Sequence, residues 1–161
     1  MRKDKINYYL AIAETVSERS TCLRKKYGAV IVSNDEIIST GYNGAPRGRK
    51  NCIDLGECIR EKLAVPRGER YEICRSVHAE ANAIISASRK DMMGATIYIA
   101  GFEVNTGEYV KNPNSCSMCK RLIINAGIEK VIVRTEENKY TTYLVQDWID
   151  NDESVEGVLG Y

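Results

Sequence analysis

The chain of 161 residues is 43% apolar, 28% charged and 7% aromatic, which fits one globular domain over residues 1–161 and leaves no room for a second. Its 23 lysines and arginines balance 22 aspartates and glutamates, for a net charge of +1, so there is no bulk field to hold nucleic acid or an anionic membrane. No stretch approaches the roughly 18 apolar residues of a spanning helix, no targeting segment is visible, and the six cysteines read as thiols of a reducing cytoplasm rather than as three disulfides.

Ile6, Tyr9, Leu10, Ala13 and Val16 recur at helical spacing behind Asp4, a good N-cap, and predict an opening amphipathic helix that ends at Ser17–Ser20. Tyr27–Ser33 and Glu36–Tyr42 read as two strands joined by Asn34-Asp35, a turn pair that tolerates positive φ, and so as a β-hairpin. An irregular insert follows over about 43–75, with a helix expected near Leu55–Leu63. It holds four glycines, two of the three prolines and three of the six cysteines. Val77, Ala81, Ile84, Ile85 and Ser88 return to helical spacing, and Thr96–Ala100 reads as a buried strand. Met118, Leu122, Ile123 and Ala126 predict a helix closed by Gly127 at C′, and Lys130–Arg134 is another strand. Tyr140, Tyr143, Leu144 and Trp148 predict a last helix, with a loose acidic tail from about 150. Strands alternating with helices call for an α/β fold, a three-layer α/β/α sandwich around a central mixed sheet of about five strands.

His78 is the one histidine, and Glu80 follows it in S-V-H-A-E-A-N-A-I. Residues two apart on a helix face apart, so these two side chains converge only beyond the helix start, where the motif sits. Cys116 and Cys119 form a Cys-x-x-Cys pair behind Ser115, a ready N-cap; at a helix start this spacing turns both sulfurs to one face and the helix dipole favours their thiolates. Alone, a histidine is an ordinary structural residue and a Cys-x-x-Cys is equally a redox dithiol. Together they offer one nitrogen and two sulfurs, the donor set of a catalytic zinc with its fourth position open to water, and Glu80 beside it is the candidate base. The span from His78 to Cys116 requires two helix N-termini brought together by the sheet, near the carboxyl ends of its strands.

H-A-E with a downstream C-S-M-C resembles the H-x-E…P-C-x-x-C signature of zinc-dependent nucleoside and nucleotide deaminases. S-T-C at Ser20–Cys22, G-Y-N-G-A-P-R-G at Gly41–Gly48, Cys52, and Cys74 four residues before His78 resemble the deoxycytidylate (dCMP) deaminase branch, from about Ile6 to Arg134. One departure stands: the signature proline normally adjoins the first cysteine, whereas here Ser115 does and Pro113 lies two residues earlier. The resemblance implies a cytidine deaminase-like fold and hydrolysis of dCMP to dUMP and ammonia, with zinc on His78, Cys116 and Cys119. It implies that Glu80 shuttles protons, that the Ala79 amide donates to the pyrimidine O2, and that Asn43 contacts the sugar, with Ser115 also at the substrate. It further implies a second, structural zinc on Cys22, Cys52, Cys58 and Cys74, stapling the insert. Gly44, Arg47, Arg49 and Lys50 are its candidate phosphate or effector loop, for the substrate or for dCTP and dTTP with Mg2+, in a homo-oligomer such as a hexamer. A deaminase of tRNA or of a free nucleoside or base, and a zinc-stabilised binding module without catalysis, stay open at this point.

Overall fold

The structure is a computed structural model and describes residues 1–157. Asp4 caps the first helix, α1 (Lys5–Ser17), its carboxylate accepting from the Asn7 amide at 3.0 Å. Strands β1 (Lys25–Ser33) and β2 (Glu36–Tyr42) pair antiparallel. Asn34 and Asp35 between them both take positive φ, 51° and 62°, the double left-handed step of the hairpin turn that follows strand twist. The insert forms two single-turn helices, α2 (Cys52–Leu55) and α3 (Ile59–Lys62), where the sequence predicts one; the chain breaks at Gly56.

Next come α4 (Ala79–Ile85), α5 (Arg89–Met92) and strand β3 (Thr96–Glu103), then α6 (Ser117–Ala126), closed by Gly127 at φ 79°, and β4 (Lys130–Glu136). The predicted last helix is overturned in its first half. Lys139–Leu144 is a fifth strand, β5, antiparallel to β4, and only Val145–Asp150 is helical, as α7. Asn138 at φ 58° makes the reversal. β5 is an edge strand with little burial, so no alternating apolar face marks it in the sequence, and its aromatic and β-branched residues decide in favour of strand once β4 is there to pair with. Of the acidic tail, Glu153–Glu156 forms a short 3-10 turn, and residues 158–161 lie outside the described residues.

The sheet order is β2-β1-β3-β4-β5, with β3 and β4 parallel and the other pairs antiparallel. Alternation along the three central strands splits the core in two. Val30, Val32, Tyr98, Ala100 and Ile132 pack against Tyr9, Leu10 and Ala13 of α1. Ala29, Ile31, Ile97, Ile99, Val131 and Val133 turn to the other face, against Ala79 and Ala83 of α4 and Ile123 and Ala126 of α6. Helices therefore cover both faces. No described helix is long and apolar enough to cross a membrane.

Candidate active site

Two helix starts make the site, and the sheet fixes both. Helix α4 lies so close to β2 that a Cβ on Gly41 would stand 2.3 Å from the Ala83 nitrogen and 2.5 Å from the Ala79 oxygen. Ser39 Oγ donates to the Ala83 carbonyl at 2.7 Å, and Asn82 Nδ2 to the Tyr42 carbonyl at 2.7 Å. Gly44 and Val77 exchange backbone hydrogen bonds of 3.2 and 2.7 Å. His78, the next residue, is thereby held as N-cap in extended conformation, and Glu80 lies in the first turn. This is the splay off the helix start that the two-residue spacing demands.

Helix α6 starts one residue later than the sequence predicts. Its N-cap is Cys116, not Ser115. Cys116 makes no side-chain cap bond; its sulfur turns to the imidazole instead, while the buried Ser115 Oγ has no hydrogen-bond partner among the described residues. Tyr143 of β5 donates to the Pro113 carbonyl at 3.0 Å and ties down the approach to the cysteines.

His78 Nδ1 stands 3.4 Å from Cys116 Sγ and 3.3 Å from Cys119 Sγ. All three donor atoms lie within 4.8 Å of one another, and among the described residues no other set of three histidine, cysteine or acidic donors does so. Zinc bonds of 2.0–2.1 Å to nitrogen and 2.3 Å to sulfur, at the tetrahedral angle, require a nitrogen–sulfur edge of about 3.5 Å. The set fits a zinc ion. Glu80 is only 7% exposed, lines the same cavity as His78 and Cys116, and stands within electrostatic reach of Cys119 without being one of the three donors.

Electrostatics bind the group together. Burial disfavours charge on His78, yet hydrogen bonds with Cys116 and Cys74 and the Glu80 charge outweigh it and raise the imidazole to about 10. The Cys119 hydrogen bond, against burial and with His78 adding to it, brings the Cys116 thiol down to about 4. The same bond and burial push Cys119 up.

A cavity of about 110 Å3 opens onto these groups, with Ile99 and Val133 from the middle of β3 and β4 in its wall, so it reaches further along the sheet than the carboxyl ends of its strands. It also takes in Asn43, Asn114 and Ser115. The Asn43 amide is already engaged, accepting from the Tyr27 N–H at 2.8 Å and donating to the Lys25 carbonyl at 2.9 Å, so it pins the start of β1 while it borders the cavity. Ala79 is fully buried in the first position of α4, where helix geometry leaves its amide without an intrahelical partner.

The cavity's charges are the part the sequence reading missed. Arg24, Lys25, Arg60 and Arg67 line it, against Glu80 as the one acidic lining residue. The candidate loop is elsewhere: Arg47, Arg49 and Lys50 are exposed and none of them lines the cavity, and Gly44 is occupied in its bridge to Val77. Of the remaining cysteines, Cys52 lies within electrostatic reach of Cys22, Cys74 and Cys58, but no three of the four sulfurs are drawn together as tightly as the His78 set. All six cysteines are free thiols.

The sequence profile described as "Cytidine and deoxycytidylate deaminase zinc-binding region" matches residues 3–135. The deoxycytidylate deaminase of Mycobacterium phage D29 is 39% identical over 140 residues, covering 84% of this chain and 98% of that one. The deoxycytidylate deaminase of Schizosaccharomyces pombe is 31% identical over 142 residues, covering 87% of this chain, which spans only 40% of the yeast protein. Among solved structures, the dCMP deaminase of cyanophage S-TIM5 in complex with dCMP and dUMP superposes with a TM-score of 0.56 at 27% identity, over 93% of this chain and 90% of that one. A motif, a donor set and a fold that agree over more than four-fifths of the chain leave one assignment: the chain belongs to the cytidine and deoxycytidylate deaminase zinc-binding family.

Proposed function

We propose that the chain hydrolyses dCMP to dUMP and ammonia. The observation that carries this reading is the pairing, in one cavity, of a zinc-fitting donor set and an adjacent carboxylate with a wall of four cations. The first half is deamination machinery and the second half suits a substrate that carries a phosphate. Held by His78, Cys116 and Cys119, zinc supplies Lewis acidity that brings the pKa of water toward about 7.

The chain's own groups do the rest. Glu80 takes a proton from the water that adds to C4 and passes it to N3 of the ring, which breaks the ring's C4–N3 double bond. It then takes the remaining hydroxyl proton as the C4–N4 bond breaks and gives it to the departing amine, which leaves as ammonia. The Ala79 amide at the start of α4 donates to O2, holding the ring in line with Glu80. Asn43, fixed by its bonds to β1, meets the sugar with its remaining donor and acceptor capacity, and Ser115 offers a hydroxyl at the same end. Ammonia release measured with dCMP, CMP, deoxycytidine and dCTP in turn tests this. A clear preference for dCMP is expected, and turnover of deoxycytidine without turnover of dCMP, or no ammonia from any of the four, refutes it.

Three finer readings go with it. Cys22, Cys52, Cys58 and Cys74 take a second, structural zinc, supported by their clustering around Cys52 and by the need of the irregular insert for an anchor. The exposed loop of Gly44, Arg47, Arg49 and Lys50 takes a triphosphate effector, dCTP or dTTP with Mg2+, between copies in a homo-oligomer, with a hexamer implied by the resemblance. Its exposure leaves it open to a neighbour. A monomer by light scattering whose dCMP saturation is unmoved by dCTP overturns that reading. The third reading is a reducing cytoplasm as the compartment, supported by six cysteines none of which forms a disulfide.

A further inference from the structure

The insert carries a buried cation that makes no ion pair among the described residues. Arg60, in the single turn α3, is 6% exposed. Its Nη2 donates to the Pro66 and Glu69 carbonyls at 3.1 and 2.6 Å, its Nε–H is buried without a partner, and among the described residues no carboxylate pairs with it. Its guanidinium lies 4.3 Å over the Tyr71 ring, and that ring makes a T-shaped contact with His78, the ring centres 5.5 Å apart. Two carbonyls and an aromatic face orient the fork, the exposed Glu72, itself paired with Arg70, adds only longer-range attraction, and a buried guanidinium without an ion-pair partner is costly. The same side chain lines the cavity that holds Glu80.

We infer that Arg60 is the specificity-determining residue for the 5′-phosphate of the substrate, an inference that rests on the proposed dCMP reading. The phosphate is a dianion with oxygens spaced for a planar fork, and it stands at the end of the nucleotide opposite C4. Tyr71 separates the two recognition ends: one face carries the guanidinium, and the ring packs nearly perpendicular to the histidine of the donor set. Arg24 and Lys25 are less available because each already has an acidic partner, Glu61 at 3.1 Å and Glu103 at 3.8 Å. Arg67 is exposed and adds long-range attraction without a buried fork.

The test compares Arg60→Gln with the wild-type chain, zinc-loaded, on dCMP and on deoxycytidine. For dCMP, kcat/KM is expected to fall about 100-fold, which is about 2.7 kcal/mol. For deoxycytidine, which has no phosphate, it is expected to stay within about twofold. Arg60→Lys, which keeps the charge without the fork, is expected to fall between the two on dCMP and to match the wild type on deoxycytidine; it replaces the glutamine variant if that one does not fold. Equal losses on both substrates, accompanied by a lower thermal midpoint or lower zinc content, make Arg60 a brace for the Pro66–Glu69 loop or the neighbouring cysteines and overturn the inference. No loss on either substrate overturns it as well. A wild-type chain that releases no ammonia from dCMP is a separate result, and it refutes the functional reading itself.

Discussion

Replacing Glu80 by glutamine isolates proton transfer from everything else the site does. The side chain keeps its length, its burial at 7% exposure and its place in the first turn of α4, and it loses one charge and the ability to accept and return a proton. Losing a negative charge at a helix start costs about 0.3–1 kcal/mol. For a chain of this size that shifts the thermal midpoint by no more than about 4 °C. The donors His78, Cys116 and Cys119 are untouched, so zinc content stays at the wild-type value. General base catalysis contributes roughly 10²–10⁴ in rate. The expected fall in kcat therefore corresponds to about 2.7–5.4 kcal/mol of transition-state stabilisation. Steady-state ammonia release from dCMP gives kcat, elemental analysis gives the metal, and calorimetry gives the midpoint. Retention of more than about a tenth of wild-type kcat, below what a general base contributes, would falsify the role given to Glu80. So would a loss of turnover that follows a loss of zinc, because the defect would then lie in the metal and not in the proton.

Elemental analysis of the purified chain should return two zinc ions per chain and one for Cys58→Ser, with a lowered midpoint in the variant; one zinc in the wild type and an unmoved midpoint remove the structural site. Asn43→Ala should cost about 1–3 kcal/mol, or about 2–12 °C in the midpoint, because the Tyr27 N–H and the Lys25 carbonyl both lose a partner; an unchanged midpoint shows that water replaces the amide. Tyr9 donates to Asp35 Oδ1 at 2.6 Å, and that bond, with burial and the Asp35 charge adding to it, raises its phenol from 10.0 to about 12. The folded value lies above the unfolded one, so the contribution is whole below pH 10 and is lost as pH rises toward about 12. Denaturant titrations should therefore show the advantage of the wild type over Tyr9→Phe shrinking between pH 10 and 12, and a constant difference across that range contradicts the bond.

Most of the scaffold was legible in the sequence because its signals are local. Asn34 and Asp35 accept the left-handed step a tight hairpin needs, Asp4 and Gly127 mark helix ends, and the runs around Val30, Ile97 and Val133 bring strands that bury both faces. The donor set was legible for the same reason: spacing at a helix start decides where His78, Glu80, Cys116 and Cys119 point before any partner is known. What the tertiary structure alone decided depends on neighbours. The segment Lys139–Leu144 has helical spacing and strand-forming residues at once, and only the open edge of β4 settles the choice. The N-cap of α6 is Cys116 rather than Ser115, and its sulfur, instead of capping, meets an imidazole that the sheet brings from another helix. Charge in the sequence likewise gives no address. Arg47, Arg49 and Lys50 look the part for the substrate phosphate and lie outside the cavity, whereas Arg60 is an ordinary residue of the insert until folding buries it beside Tyr71. A cavity is made by chain segments that meet across a sheet, so the residues that line it share no spacing in the sequence, and burial, which gives a charge its strength, exists only once they have met.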